Sequence, residues 1–373
     1  MSYKEDYLEL KECFLSFKRN NYFEKFNSGD IFCVKEKGKN DCALMTFIDQ
    51  FFGDTLGLQL FYTKDGLNYV HDILSCMDET SVTIGDCDSI VAVYKKKNQL
   101  TVDDLAFLKM LDQKPVNKLN LICYRFQKGM KSRCCTKKEI SILSLYGVFL
   151  ASLIPNEHQD IVNAFLEGNS VLAELDINEK RYSAFYQPLP YLQIPPKSMP
   201  VNEPFVEDYK NRTYLNEDCY LYTSYLPVII KDTKVRPILL YFYFLQSNRM
   251  ELKYILDEPK EYKNCIYGIL DDVFDKVGLP AKMVINNRDL YYILRKTLTK
   301  MNIEVTFERE NNVSNKDYVS QVISRIYEVT QDSEMESKET ITMIVEIIQD
   351  ALKGMDNEYL DDEDLKDEDY VSW

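Results

Sequence analysis

At 373 residues, 45% hydrophobic and 28% charged, the chain is long enough for two domains that each bury a core, and its composition excludes a disordered polymer. No apolar run approaches the length needed to cross a bilayer, and Met1-Ser2-Tyr3-Lys4-Glu5-Asp6 lacks a secretory hydrophobic core, so a cytoplasmic location with no membrane partner is expected. The formal net charge of -15 is unevenly spread: twelve Lys and Arg face three Asp between Lys95 and Lys138, whereas nine acids face Lys366 between Asp356 and Tyr370.

Tyr7, Leu8, Leu10, Cys13, Phe14 and Phe17 recur at the spacing of an amphipathic helix over Tyr3 to about Asn20. Asp30 to Val34 and Cys42 to Phe47 read as a hairpin around the polar turn Lys37-Gly38-Lys39-Asn40. A strand from Gly57 to Tyr62, a turn at Lys64-Asp65-Gly66 and a helix from Leu67 to Cys76 follow, the helix with Leu67, Val70, His71 and Leu74 on its inner face. Ile90 to Tyr94 and Leu119 to Phe126 are further strands, separated by a helix from Val102 to Leu111 that Thr101 caps. Thr136-Lys137-Lys138-Glu139 is a capping box opening a helix to about Leu153. This α+β domain is bounded at 1–154. A helix and an extended connector over 155–203 come next, because prolines from Pro188 to Pro204 suit neither regular element.

The following domain, 204–330, has candidate strands at Tyr220 to Ile230, Pro237 to Leu245 and Met250 to Leu256. Then come a helix from Tyr262 to Val277, a strand from Lys282 to Ile285, a helix, a strand from Ile303 to Phe307 and a helix from Lys316 to Tyr327. Ile341, Ile344, Val345, Ile348 and Leu352 make one apolar stripe on a helix over 334–354, a candidate face for a partner or a second subunit. The segment 355–373 is too acidic to pack and is expected to be disordered.

Three strands followed by helix, strand, helix, strand and helix resemble a ribonuclease H-like α/β fold with a mixed sheet. More widely, the sequence is similar to bacterial proteins of unknown function that pair two uncharacterised domains in this order. The similarity rests on Gly57-Leu58-Gln59-Leu60-Phe61-Tyr62 with Asp65-Gly66-Leu67, on Leu100 to Leu111, on Arg236-Pro237-Ile238-Leu239-Leu240, and on Gly278-Leu279-Pro280-Ala281-Lys282 through Asn287-Arg288-Asp289-Leu290 to Asn302-Ile303-Glu304-Val305. It implies a fold pairing and a bacterial or phage origin, and it brings no activity or catalytic residues.

A ribonuclease H-like nuclease needs carboxylates on its first strand and at the end of its fourth to hold two metal ions. Here Asp218 and Asp232 only flank the early strands, and Asn286-Asn287 stands at the end of Lys282 to Ile285. Asn286-Asn287-Arg288-Asp289 therefore reads as a helix cap. No phosphate-cradling loop, nucleophile elbow or zinc motif is present, and the ten cysteines form no C-x-x-C pair. Most of them sit in apolar runs and are expected to be reduced, and Cys134-Cys135 reads as a pair of inert or merely exposed thiols. His71 reads as a core residue rather than a general base. In Tyr241-Phe242-Tyr243-Phe244, alternation on a central strand explains the rings more simply than a base-stacking platform.

Lys95, Lys96, Lys97, Lys128, Lys131, Arg133, Lys137 and Lys138 are the candidate polyanion-binding residues, with a solvated face as the simpler account. The expectation is a binding or assembly module without a catalytic centre, cofactor or metal, and with a protein partner. The first alternative is a nucleic-acid or polyanion binder autoinhibited by its acidic tail. The second is a metal-dependent nuclease.

Overall fold

The computed structural model describes residues 2–27, 29–38, 42–48, 56–74, 87–176, 181–189, 199–226, 229–230, 233–307 and 334–335. It divides into two units, residues 1–128 with 132–195, and residues 129–131 with 196–373. The expected helix at Lys316 to Tyr327, the apolar stripe from Ile341 to Leu352 and the acidic tail lie outside the described residues.

The first unit begins with α1 (Tyr3–Arg19), whose Ser2–Glu5 capping box satisfies two N-terminal donors and whose Tyr7, Leu10, Phe14 and Phe17 are buried. After the single turn α2 (Tyr22–Lys25), its strands are β1 (Phe32–Glu36), β2 (Cys42–Ile48), β3 (Gly57–Phe61), β4 (Ser89–Lys95), β5 (Asn120–Phe126), β6 (Arg133–Cys134), β7 (Ser170–Asp176) and β8 (Arg181–Gln187). They form one eight-stranded sheet in the order β6-β5-β4-β3-β2-β1-β7-β8. Neighbours run antiparallel except β1 and β7, which are parallel, with Phe32 opposite Val171.

Three further helices serve this sheet: α3 (Lys64–Leu74), α4 (Val102–Met110) and α5 (Lys137–Leu166). The main core joins α1 and α5 to one face through Phe14, Phe17, Phe47, Leu143 and Leu150, and α3 sets Leu67 and Val70 against Ile31, Cys33 and Phe61 in a smaller cluster. Phe17, Phe23, Phe26 and Phe32 all meet Phe47 edge-on or stacked, with ring centres 5.5 to 6.0 Å apart, the offset geometry aromatic rings prefer.

Three expectations change here. Lys64-Asp65-Gly66 is the first turn of α3 rather than a separate turn, and the Gly66 N–H donates to Thr63 Oγ1 at 3.2 Å. A Cβ on Gly66 would collide with the carbonyl oxygen of Asp88, which accounts for glycine at this point. The helix opened by Thr136 runs on past Leu153 to Leu166, with Pro155 inside and non-helical angles at Glu157. Pro155 removes one backbone donor and bends the helix, but burial of Ile161 and Ala164 carries it onward. Finally, β7 and β8 lie where only a helix and a connector were expected. Tyr182, Ala184 and Tyr186 alternate towards the core, and Tyr182 meets Phe149 edge-on at 5.6 Å. Among the described residues one helix, α5, is by length and composition apolar enough to cross a membrane, yet Ile140, Leu143, Leu150, Leu153 and Ile154 are buried in the core of this unit.

The second unit comprises α6 (Glu203–Tyr209), β9 (Asp218–Tyr225), β10 (Ile229–Ile230), β11 (Ile238–Phe244), β12 (Arg249–Ile255), α7 (Tyr262–Val277), β13 (Lys282–Ile285), α8 (Arg288–Lys300), β14 (Glu304–Phe307) and β15 (Glu334–Met335). The expected strand from Tyr220 to Ile230 is thus two elements, of which β10 pairs in parallel with β15. The main sheet has the order β12-β11-β9-β13-β14, with β11 antiparallel to both neighbours and β9, β13 and β14 mutually parallel. Leu221, Leu240, Phe242, Phe244, Met283 and Ile285 bury one face against Ile266, Leu270, Phe274, Leu290, Leu294 and Leu298 of α7 and α8. Gly278 ends α7 at φ 119, a backbone region that disfavours side chains. The chain as described is therefore mixed α/β in both units.

Candidate functional site

The ends of β9 and β13 are where the fold expectation places a metal centre, and neutral side chains meet there. The Oδ1 of Asn286 accepts from the Thr223 N–H at 2.9 Å and from Thr223 Oγ1 at 3.4 Å. Asn287, only 7% exposed, donates from Nδ2 to Thr223 Oγ1 at 3.1 Å, while its Oδ1 accepts from the Leu290 N–H at 3.1 Å. One asparagine thus caps α8 and, with its neighbour, ties the two strands together. Asp289 lies in the first turn of α8, where an acid complements the helix dipole. Asp218 is at the opposite end of β9, beside Lys282 in the register, and Asp232 lies outside the described residues. Among the described residues, no group of three or more His, Cys, Asp and Glu could hold a metal ion.

The basic stretch leaves the β4–β5 pair at both ends, and the charges of Lys95 and Arg133 both act on the Cys134 thiol. The register sets Lys95 opposite Asn120, so Lys95, Lys96 and Lys97 leave the end of β4 that is remote from Phe126, after which Lys128 follows. Six residue steps along the strand separate those ends by roughly 20 Å. The lysine at the end of β4 is also engaged internally. Its Nζ lies 3.0 Å from Oδ2 of Asp104, a residue with no exposed side chain, and 2.6 Å from the Tyr124 hydroxyl, which itself donates to Asp104. Burial alone would raise the Asp104 pKa, but hydrogen bonds from Tyr124, the Thr101 N–H and Lys95 outweigh it and hold the carboxyl below its usual range.

Arg133 donates to both oxygens of Glu139 at 2.8 Å, a fork that matches the carboxylate. Glu139 also accepts from the Thr136 N–H at 2.7 Å and stands 3.5 Å from Arg125 Nε; burial would raise its pKa, but Arg133 and the Thr136 donors outweigh that and hold it below the usual carboxylate range. Arg125 has a side chain only 6% exposed, pairs with Asp88 and lies over the Tyr62 ring at 5.4 Å. Lys137 covers the Tyr3 ring at 4.5 Å. Lys96, Lys97 and Lys138 are exposed and Lys128 is half-buried. Lys131 groups with the second unit, where its N–H donates to the Lys234 carbonyl at 2.8 Å.

The cysteine pair also finds chemically quiet surroundings. Burial and the nearby charges of Asp104 and Asp103 push the Cys134 thiol up to about 12, and burial raises Cys135 as well. Reactive thiols need the opposite shift. Phe242 and Phe244 lie in the core, while Tyr241 and Tyr243 stack 6.4 Å apart on the other face and are buried too. The side chain of His71 and the stripe at Ile341, Ile344, Val345, Ile348 and Leu352 fall outside what is described. The ion-pair cluster of Asp88, Arg125 and Glu139, closed on its outer side by the exposed Arg133, was missed in the sequence. Its members come from three strands or strand approaches and one helix start, and only the Thr136–Glu139 capping box was visible locally.

These features define a two-unit mixed α/β scaffold. Residues 8–154, from the second turn of α1 to the residue before Pro155, match the model of a domain of unknown function, DUF7309. No curated protein matches the chain. A cryo-EM structure of a simian T-cell lymphotropic virus intasome in complex with the PP2A regulatory subunit B56 gamma aligns over 36% of this chain and 50% of that one, at 13% identity and a TM-score of 0.25, a likeness too slight to carry an argument.

Proposed function

We propose that the chain is a binding or assembly module, and that its second unit is a ribonuclease H-like scaffold put to a use other than cleavage. The fold reading is supported by a five-stranded sheet in which the second strand alone runs against the rest and the first lies between the second and fourth. The observation that carries the functional reading is the side-chain lock of Thr223 with Asn286 and Asn287. Two-metal hydrolysis requires carboxylates converging on adjacent cations. Amides that hold strands together and cap a helix do not provide them.

The experiment is a cleavage assay of the full chain on single-stranded, double-stranded and hybrid nucleic acids with magnesium and with manganese. No cleavage above the metal blank is expected. Cleavage abolished by Asp289→Ala would establish the nuclease reading instead.

Polyanion binding is the second reading, supported by the exposure of Lys96, Lys97 and Lys138. Removing the residues after Gly354 then tightens heparin or DNA binding at low salt, and equal binding by the full and shortened chains refutes autoinhibition by the tail.

A further inference from the structure

Within the second unit, residues 129–131 run antiparallel to residues 234–236, with Met130 bridged to Val235. The Lys131 N–H donates to the Lys234 carbonyl and the Arg236 N–H to the Gly129 carbonyl, both at 2.8 Å. That register sets Lys131 opposite Lys234 and Gly129 opposite Arg236. Strand residues alternate between faces, so Lys131, Lys234 and Arg236 share the face away from the buried Val235. These six residues hold three cations and no acid. Lys234 is exposed and Lys131 and Arg236 are half-buried, so all three reach solvent.

Three local costs accumulate at this short ribbon. Like charges directly opposite each other destabilise a strand pair. Lys234 has φ 57, in the left-handed region that glycine or asparagine occupies with less strain. Arg236 buries its Nε without an acceptor among the described residues, and a buried orphan donor is costly. One anion relieves the first cost and the last, and the second shows a lysine kept where a neutral residue would sit more easily. We propose that Lys131, Lys234 and Arg236 form a site for the phosphodiester backbone of nucleic acid. Arg236 presents a planar fork that matches phosphate oxygens, while the two lysines act as compact charges beside it. Charges beyond about 10 Å are screened at about 0.1 M salt, so this local field persists in a chain whose total charge is -15.

This inference rests on the polyanion reading and gives it a site distinct from the lysines of 95–97. The probe is a fluorescent single-stranded oligothymidylate, titrated with the full chain at several salt concentrations and followed by anisotropy. Replacing Lys131, Lys234 and Arg236 together by Gln lowers affinity at low salt at least about tenfold and reduces the slope of log affinity against log salt by about 2, each single-strand phosphate contact contributing about 0.7. The melting temperature of that variant is unchanged or higher, because opposed like charges have been removed, so the loss is not misfolding. Lys96→Gln, Lys97→Gln and Lys138→Gln remove three exposed cations of the first unit and change affinity less than about twofold. Binding that survives the Lys131, Lys234 and Arg236 change, or that the control weakens equally, overturns this placement and leaves the polyanion reading standing. Binding of inorganic polyphosphate without binding of the oligothymidylate overturns the nucleic-acid assignment. No binding of either by the unaltered chain at low salt overturns both the placement and the reading.

Discussion

Lys95 reaches Asp104 inside the first unit, Nζ to Oδ2 at 3.0 Å, so a lysine at the head of the most basic stretch serves the fold. The carboxylate is fully covered and also accepts from the Thr101 N–H at 2.9 Å, which makes it at once the cap of α4 and the anchor of β4 and β5.

Asp104→Ala leaves the Lys95 ammonium and the Tyr124 hydroxyl without their acceptor and removes half of a capping box. Breaking a buried pair from one side costs about 3 to 5 kcal/mol. Urea unfolding monitored by circular dichroism should show a loss of that order, and a change within error would mean the network is dispensable.

Acid should destabilise the same unit. Asp104 and Glu139 have folded pKa values below their unfolded ones, so their contribution is complete above the unfolded carboxylate pKa and is lost as pH falls through the folded values. Thermal melts should therefore be flat from neutrality down to about pH 5 and fall below it, starting near the usual range of Asp and Glu. In Asp104→Asn the fall should be shallower.

At the lock between β9 and β13, Asn287→Ala removes a helix cap and a strand tie, with an expected loss of about 1 to 2 kcal/mol. Asn287→Asp keeps the acceptor for the Leu290 N–H but loses the Nδ2 donor to Thr223 Oγ1 and puts a charge at a site only 7% exposed, so it should also cost about 1 to 3 kcal/mol if the strand tie matters. Denaturant titration of both variants distinguishes a capping role from one that demands the amide itself.

Gly66→Ala drives a methyl group against the backbone of Asp88, the residue that pairs with Arg125. Overpacking of this kind costs about 1 to 3 kcal/mol, and here the obstacle is a carbonyl rather than a pliable side chain. A melting temperature lowered by several degrees is the expected result, and an unshifted melt would show that β4 can retreat.

Local signals were enough to place most elements because each signal is short in range. Thr136 and Glu139 are three residues apart, the stripe of α1 repeats every turn, and Lys282 to Ile285 is a strand in both accounts. The helix cap at Asn287 was legible for the same reason. What sequence could not reveal depended on neighbours distant along the chain. β8 is a strand because β7 lies beside β1 and offers it an edge, α5 passes Pro155 because its second half has a core to bury in, and Arg125 is neutralised by Asp88 and Glu139. The charges were visible, but pairing is a matter of distance, and only the tertiary structure brings Lys95 to Asp104 and Arg133 to Glu139 while leaving Phe185 exposed on β8.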